Sequence, residues 1–211
     1  MPSNLRLPKI YPITDTKLSG LSHFEQTKAL LEGGTKLVQI RDKTMASREL
    51  FDSVQECLAL CHERDALLIV NDRADIALAT DADGVHLGQD DLPPSEARKI
   101  LPSGTIIGFS THTVEQALDA AKTPVDYIAA GPIFSTRSKS NPDPVIGLSG
   151  LEKIRNAIGD LPLVAIGGIT LDNCHDVLNA GADSAAMISA LVAEPSQITY
   201  RLQKALEIAG A

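Results

Sequence analysis

Eight short aliphatic or β-branched runs alternate with eight amphipathic helical patterns along the chain, and this alternation constrains the fold more than any motif does. A strand, a helix and a further strand pack best as a parallel unit, and eight such units in 211 residues suit a closed barrel better than an open sheet. The expected architecture is an α/β (β/α)8 TIM barrel forming one catalytic domain over residues 1–211, because no linker or break in composition divides the units. A doubly wound open sheet is the alternative.

Residues 10–14, 36–41, 67–70, 84–87, 106–109, 127–130, 163–166 and 184–188 read as strands one to eight. Between them, Ser22 suits the cap of a helix that reaches Glu32 and is stopped by Gly33 and Gly34. The next helix carries Leu50, Val54, Cys57, Leu58 and Cys61 at the 3.6-residue period. Helices are also expected over 74–79, from Pro94 to Ile100, along a face of Val114, Ala117, Leu118 and Ala121, and over 151–158, 172–179 and 195–208. The stretch 131–147, with Pro132, Pro142 and Pro144, is the one long loop and is expected to be functional and mobile, closing over a bound anion.

With 44% hydrophobic and 22% charged residues the chain has the composition of a folded domain. A net charge of −8 and an aromatic content of 3% argue against nucleic acid, which calls for a basic face and stacking platforms. No apolar run is long enough to span a bilayer and the first ten residues lack a secretory pattern, so a cytoplasmic location is expected. Cys57, Cys61 and His62 lack paired zinc spacing, and the three cysteines read as reduced thiols.

A barrel gathers its chemistry at the C-terminal ends of its strands. There, Gln39, Arg41 and Lys43 alternate with Ile40 and Asp42, which turns all three toward one side, the mouth; scattered charge on a solvated strand end is the plainer reading. Strand three runs into Asn71, Asp72 and Arg73, and strand four into Gly88, Gln89, Asp90 and Asp91. Asp72 and Asp91 suit a hard cation such as Mg²⁺, which takes one or two carboxylates with water and substrate phosphate. Equally, Asp72 suits a helix cap and Asp91 a turn before Pro93 and Pro94. Arg41 and Lys43 favour the metal reading, since cations and a metal at one mouth describe a site for several phosphate oxygens.

Ser110 and His112 follow strand five, and the loop after strand six offers Thr136, Ser138 and Lys139. Strand seven ends in Gly167 and Gly168 and strand eight in Ile188 and Ser189, where barrels hold phosphate on backbone N–H groups; a tight turn alone would also explain the glycines. His86, inside strand four, reads as a hydrogen-bonded core or mouth residue.

Taken in order, these segments resemble the thiamin phosphate synthases (thiamine-phosphate pyrophosphorylases) over nearly the whole chain. The resemblance rests on Tyr11-Pro12-Ile13-Thr14-Asp15, Gln39-Ile40-Arg41-Asp42-Lys43, Asn71-Asp72-Arg73, Asp83 to Gln89 with Asp91, Gly131-Pro132-Ile133-Phe134 with Thr136 to Lys139, and Ala165 to Ile169. It implies a transferase that joins hydroxymethylpyrimidine diphosphate to hydroxyethylthiazole phosphate, releasing diphosphate. Gln39, Arg41, Lys43, Asn71 and Lys139 would hold the pyrimidine diphosphate, Ser110 would line the pyrimidine pocket, and Asp72 and Asp91 would bind Mg²⁺. Thr136, Ser138, Gly168, Ile188 and Ser189 would hold the thiazole phosphate, and the catalytic set would be Arg41, Lys43, Lys139 and Ser110. Ser138 departs from the threonine common in the family but keeps the hydroxyl.

Two rivals differ in chemistry. A thiazole tautomerase on the same barrel would use His112 as base and leave Asn71, Asp72, Arg73 and Asp91 without a purpose. A non-catalytic barrel binding thiamin precursors would show a broken set of cations or carboxylates. The partners expected are small-molecule substrates, with neither nucleic acid nor membrane, and the oligomeric state is left open, a homodimer included.

Overall fold

The structure, a computed structural model, describes residues 5–136 and 143–210. Eight strands run parallel: β1 (Ile10–Pro12), β2 (Leu37–Ile40), β3 (Leu67–Asn71), β4 (Gly84–Leu87), β5 (Ile106–Thr111), β6 (Tyr127–Ala130), β7 (Leu163–Ile166) and β8 (Ser184–Met187). Their order is β1-β8-β7-β6-β5-β4-β3-β2, and the seam between β1 and β2 is closed by a parallel bridge from Ile13 to Gln39. There the Thr14 N–H donates to the Gln39 carbonyl at 2.9 Å. The expected single-domain barrel is therefore the fold.

The helices are α1 (Thr16–Ser19), α2 (His23–Glu32), α3 (Ser47–His62), α4 (Ala74–Thr80), α5 (Pro94–Ile100), α6 (Val114–Ala120), α7 (Gly147–Ile158), α8 (Cys174–Asn179), α9 (Ser189–Val192) and α10 (Ile198–Ala209). Ser22 caps α2 through a reciprocal pair of bonds with Glu25, and Pro94 occupies the first turn of α5, both as the sequence predicts.

Alternation along each strand divides the core in two. Val38, Ile40, Leu68, Val70 and Ile128 share one apolar cluster with the helix residues Leu50, Val54, Cys57 and Leu151. Tyr11, Ile13, Leu37, Ile69, Tyr127 and Val164 form a second cluster, inside the barrel. Fully burying a Leu or Ile contributes roughly 1.5–3 kcal/mol, so the α3 stripe alone holds that helix firmly to the sheet. With no tryptophan in the chain, the interior is filled largely by two tyrosines. Gly108 on β5 makes room for one of them: a Cβ there would lie 2.0 Å from the Tyr127 ring.

Several boundaries differ from the sequence reading. Helix α1 was not expected; Asp15 accepts from the Leu18 N–H at its start and Gly20, at φ +72, ends it, a span too short to show a period. Strand β5 runs to Thr111, two residues further than expected, because Ser110 and Thr111 pair with Ala129 and Ala130. Helix α6 buries Ala117 and Ala120, while Leu118, placed on the apolar face by the sequence, is 40% exposed. Helix α7 starts at Gly147 rather than at 151, and α8 at Cys174 rather than at 172. The expected closing helix begins as a single 3-10 turn (Pro195–Gln197) before α10, and α9 precedes it directly after β8.

Candidate active site

A cavity of about 430 Å³ opens at the C-terminal ends of the strands. Gln39, Arg41, Lys43, Asn71, Asp72, Asp91, Ser110, Thr136, Gly168, Ile188 and Ser189 all line it. Ser138 and Lys139 lie outside the described residues, as does the middle of the loop expected to close.

β2 ends at Ile40, so the pleat does not carry Arg41 and Lys43 to the mouth. A turn fixed by Asp42 does. Its carboxylate accepts from the backbone N–H groups of Thr44 and Met45, both at 2.8 Å, and from the Thr16 hydroxyl at 2.9 Å. These bonds hold the Asp42 carboxyl below its ordinary range even though burial pushes it up. Behind it, His23 is buried with Nδ1 2.7 Å from the Thr14 hydroxyl and Nε2 3.8 Å from Asp42. Arg41 donates to Asp15 at 3.4 Å, and Lys43 lies 3.2 Å from Asp72.

Asp72 has φ +62, a left-handed backbone that a non-glycine residue adopts at a cost, and its N–H donates to the His86 carbonyl at 2.8 Å. It does not cap α4, whose N-cap residue is Arg73 without a side-chain cap bond. Asp91 does serve a turn: its carboxylate accepts from the Gly88 N–H at 2.7 Å. The same carboxylate faces Asp72, and burial, reinforced by the Asp72 charge, raises its pKa. Two carboxylates in contact beside one lysine are a donor set that fits a small hard dication in place of a shared proton. Asn71 adds a buried side-chain N–H group with no hydrogen-bond partner among the described residues. No group of three or more His, Cys, Asp or Glu suited to a metal occurs among the described residues.

Gly167 (φ +100) and Gly168 (φ +66) have a structural reason to be glycine: a Cβ on either would lie within 2.6 Å of the Pro132–Ser135 backbone. Both line the cavity, and without a side chain they let a ligand come close to the backbone.

His112 Nδ1 lies 2.6 Å from the Gly131 carbonyl, which can only accept, so that nitrogen carries the proton; Nε2 lies 3.4 Å from Asp143. Cys57 and Cys61 are fully buried, with burial pushing their thiols up to about 11 and about 12, and His62 pairs with Asp83 at 3.1 Å.

The family model described as thiamine monophosphate synthase matches residues 10–191. The chain belongs to that family. It is 48% identical over 187 residues to a thiamine-phosphate synthase of Methanospirillum hungatei, covering 88% of this chain and 90% of that one. A thiamine-phosphate synthase of Koribacter versatilis is 46% identical over 204 residues, 93% and 95% of the two chains. Among solved structures, a thiamine phosphate pyrophosphorylase from Pyrococcus furiosus superposes with a TM-score of 0.87 at 40% identity, covering 96% of this chain and 95% of that one.

Within this thiamine monophosphate synthase family barrel, sequence reasoning left several site residues unassigned. Asp15, which holds Arg41 at 3.4 Å, has no role in the sequence reading beyond its place in the Tyr11 to Asp15 motif. Tyr11 and Tyr127 fall within the first and sixth expected strands with no role of their own, and their hydroxyls meet at 2.8 Å inside the barrel. Burial holds His86 neutral, its pKa pushed down to about 4, while Asp91 pulls weakly the other way. The sequence places His86 as a hydrogen-bonded core or mouth residue, and its bonds to Tyr127 and Ser110 bear that out.

Proposed function

We propose that the chain joins hydroxymethylpyrimidine diphosphate to hydroxyethylthiazole phosphate, forming thiamine monophosphate and diphosphate. The observation that carries this reading is the meeting of Asp72, Asp91 and Lys43 at one mouth, with Arg41 and Asn71 lining the same cavity. Such a mouth answers a ligand rich in negative oxygen, whereas a reaction of proton transfer alone gives the carboxylate pair nothing to do.

In this reading the C–O bond between the pyrimidine methylene and the diphosphate breaks, and its electron pair leaves with the diphosphate. The lone pair of the thiazole nitrogen then forms the C–N bond, and no proton has to move. The site therefore needs charge aimed at the leaving group more than a poised base. Asp72 and Asp91 would hold Mg²⁺, which supplies positive charge to the diphosphate oxygens when bound. Arg41, Lys43 and Lys139 add cationic donors to the same oxygens, and the unpaired Asn71 N–H group is available to one more. Gln39 and Ser110 would contact the pyrimidine ring. Thr136, Ser138, Gly168, Ile188 and Ser189 would receive the thiazole phosphate. No helix among the described residues is long and apolar enough to cross a membrane.

Incubation with both substrates and Mg²⁺ should release thiamine monophosphate and diphosphate in equal amounts. Absence of both products would overturn the reading, and full activity in the presence of a chelator would overturn the metal assignment.

A further inference from the structure

Five polar side chains form a continuous chain across the barrel interior. Gln39 Nε2 donates to the Tyr11 hydroxyl at 3.0 Å, and the Tyr11 and Tyr127 hydroxyls lie 2.8 Å apart. The Tyr127 hydroxyl is 2.9 Å from His86 Nδ1, and His86 Nε2 is 2.8 Å from Ser110 Oγ. Both tyrosines are at most 1% exposed, so their protons must find acceptors within the chain itself.

Counting donors fixes its direction. An amide N–H group only donates, so the Tyr11 oxygen accepts from Gln39 and its own proton goes to Tyr127. Tyr127 then gives its proton to His86 Nδ1. A neutral imidazole carries one N–H, which is left on Nε2 and donates to Ser110. Reversing the Tyr11–Tyr127 or Tyr127–His86 link leaves a buried hydroxyl proton without an acceptor, and reversing the His86–Ser110 link alone leaves the imidazole with two acceptor nitrogens and no proton. Only turning the Gln39 amide over would allow the whole chain to run backward.

We propose that this chain sets the recognition character of its two ends, with Tyr11, Tyr127 and His86 as positioning residues. Ser110 already accepts from His86 and so offers its O–H to an acceptor on the ligand. Gln39 spends one of its two N–H groups on Tyr11 and keeps its carbonyl oxygen, which only accepts, for a donor on the ligand. One donor and one acceptor at the floor of the cavity match a ring nitrogen and an amino substituent of a pyrimidine. The choice of ligand rests on the reaction proposed above; the direction of the bonds does not.

Side-chain ¹H–¹⁵N correlation spectra of the substrate-free protein read the tautomer directly, with the His86→Gln variant identifying the signal. The expected result is the Nε2–H form in the wild type and in Tyr11→Phe, where Tyr127 still has only His86 to donate to. Tyr127→Phe removes the donor at Nδ1 and should give a mixture of tautomers. It should also raise KM for the pyrimidine diphosphate about tenfold, the loss of roughly one hydrogen bond, while leaving KM for the thiazole phosphate unchanged. An Nδ1–H form in the wild type, or an equal rise in both KM values, would overturn the proposal. The tautomer can be read even where no thiamine monophosphate is formed, so failure of the reaction is told apart from failure of the chain.

Discussion

The Lys43 ammonium lies 3.2 Å from the Asp72 carboxylate, and that carboxylate faces Asp91 across the mouth of the barrel. Three stretches of sequence, the ends of β2, β3 and β4, therefore deliver one cation and two anions to one place. Asp72→Ala breaks both relationships. Turnover should fall at least about a hundredfold, roughly 3 kcal/mol of lost transition-state stabilisation, while binding of the thiazole phosphate alone changes little. Steady-state kinetics beside calorimetric titration with thiazole phosphate separate the two, and equal losses would argue against a role at the diphosphate.

Arg41 is held by Asp15 at 3.4 Å with both side chains largely covered. Removing the charge in Asp15→Asn should loosen the guanidinium without removing it. A single ion pair still in reach of water at 3.4 Å contributes about 1 kcal/mol or less, so KM for the pyrimidine diphosphate should rise by up to about fivefold with kcat nearly intact. A loss confined to kcat would show that Asp15 does something other than orient Arg41.

Gly108 pairs with His86 on one side and Tyr127 on the other, and the Tyr127 ring occupies the space its side chain would need. Gly108→Ala should destabilise the fold by about 1–3 kcal/mol, because the obstruction is a packed ring rather than a flexible tip. Urea unfolding measures this, and a variant as stable as the wild type would mean that the ring moves freely.

His86 makes stability depend on pH. Its folded pKa of about 4 lies below the ordinary 6.5, so the unfolded chain takes up a proton first as the pH falls. The contribution of the neutral ring is fully present above pH 6.5 and is lost progressively toward pH 4. Over that window the wild type should lose about 3 kcal/mol more than His86→Gln, measured by urea unfolding at both ends. Parallel curves would show that the buried imidazole is charged in the native state.

The alternation of strand and helix, the helix cap at Ser22 and the first-turn proline at Pro94 are local signals, and each was legible. So was the placement of Arg41, Lys43, Asp72 and Asp91 at the mouth, since a closed parallel barrel sends the residues after its strands to one end. Residues 189–192, by contrast, form a helix too brief to have a period, and the exposed Leu118 shows that an apolar residue at helical spacing need not face the sheet.

Sequence by itself determined the barrel, the family resemblance and the identity of the charged residues at its mouth, because backbone periodicity and chain order are properties of neighbours. Only the tertiary structure decided that Asp15 holds Arg41 and that Asp42, not the strand, aims the cations. It also decided that Gln39 and Ser110 are joined through Tyr11, Tyr127 and His86. These links join residues as much as 116 positions apart, and a hydrogen bond between them exists only once the barrel has closed and excluded water from its interior.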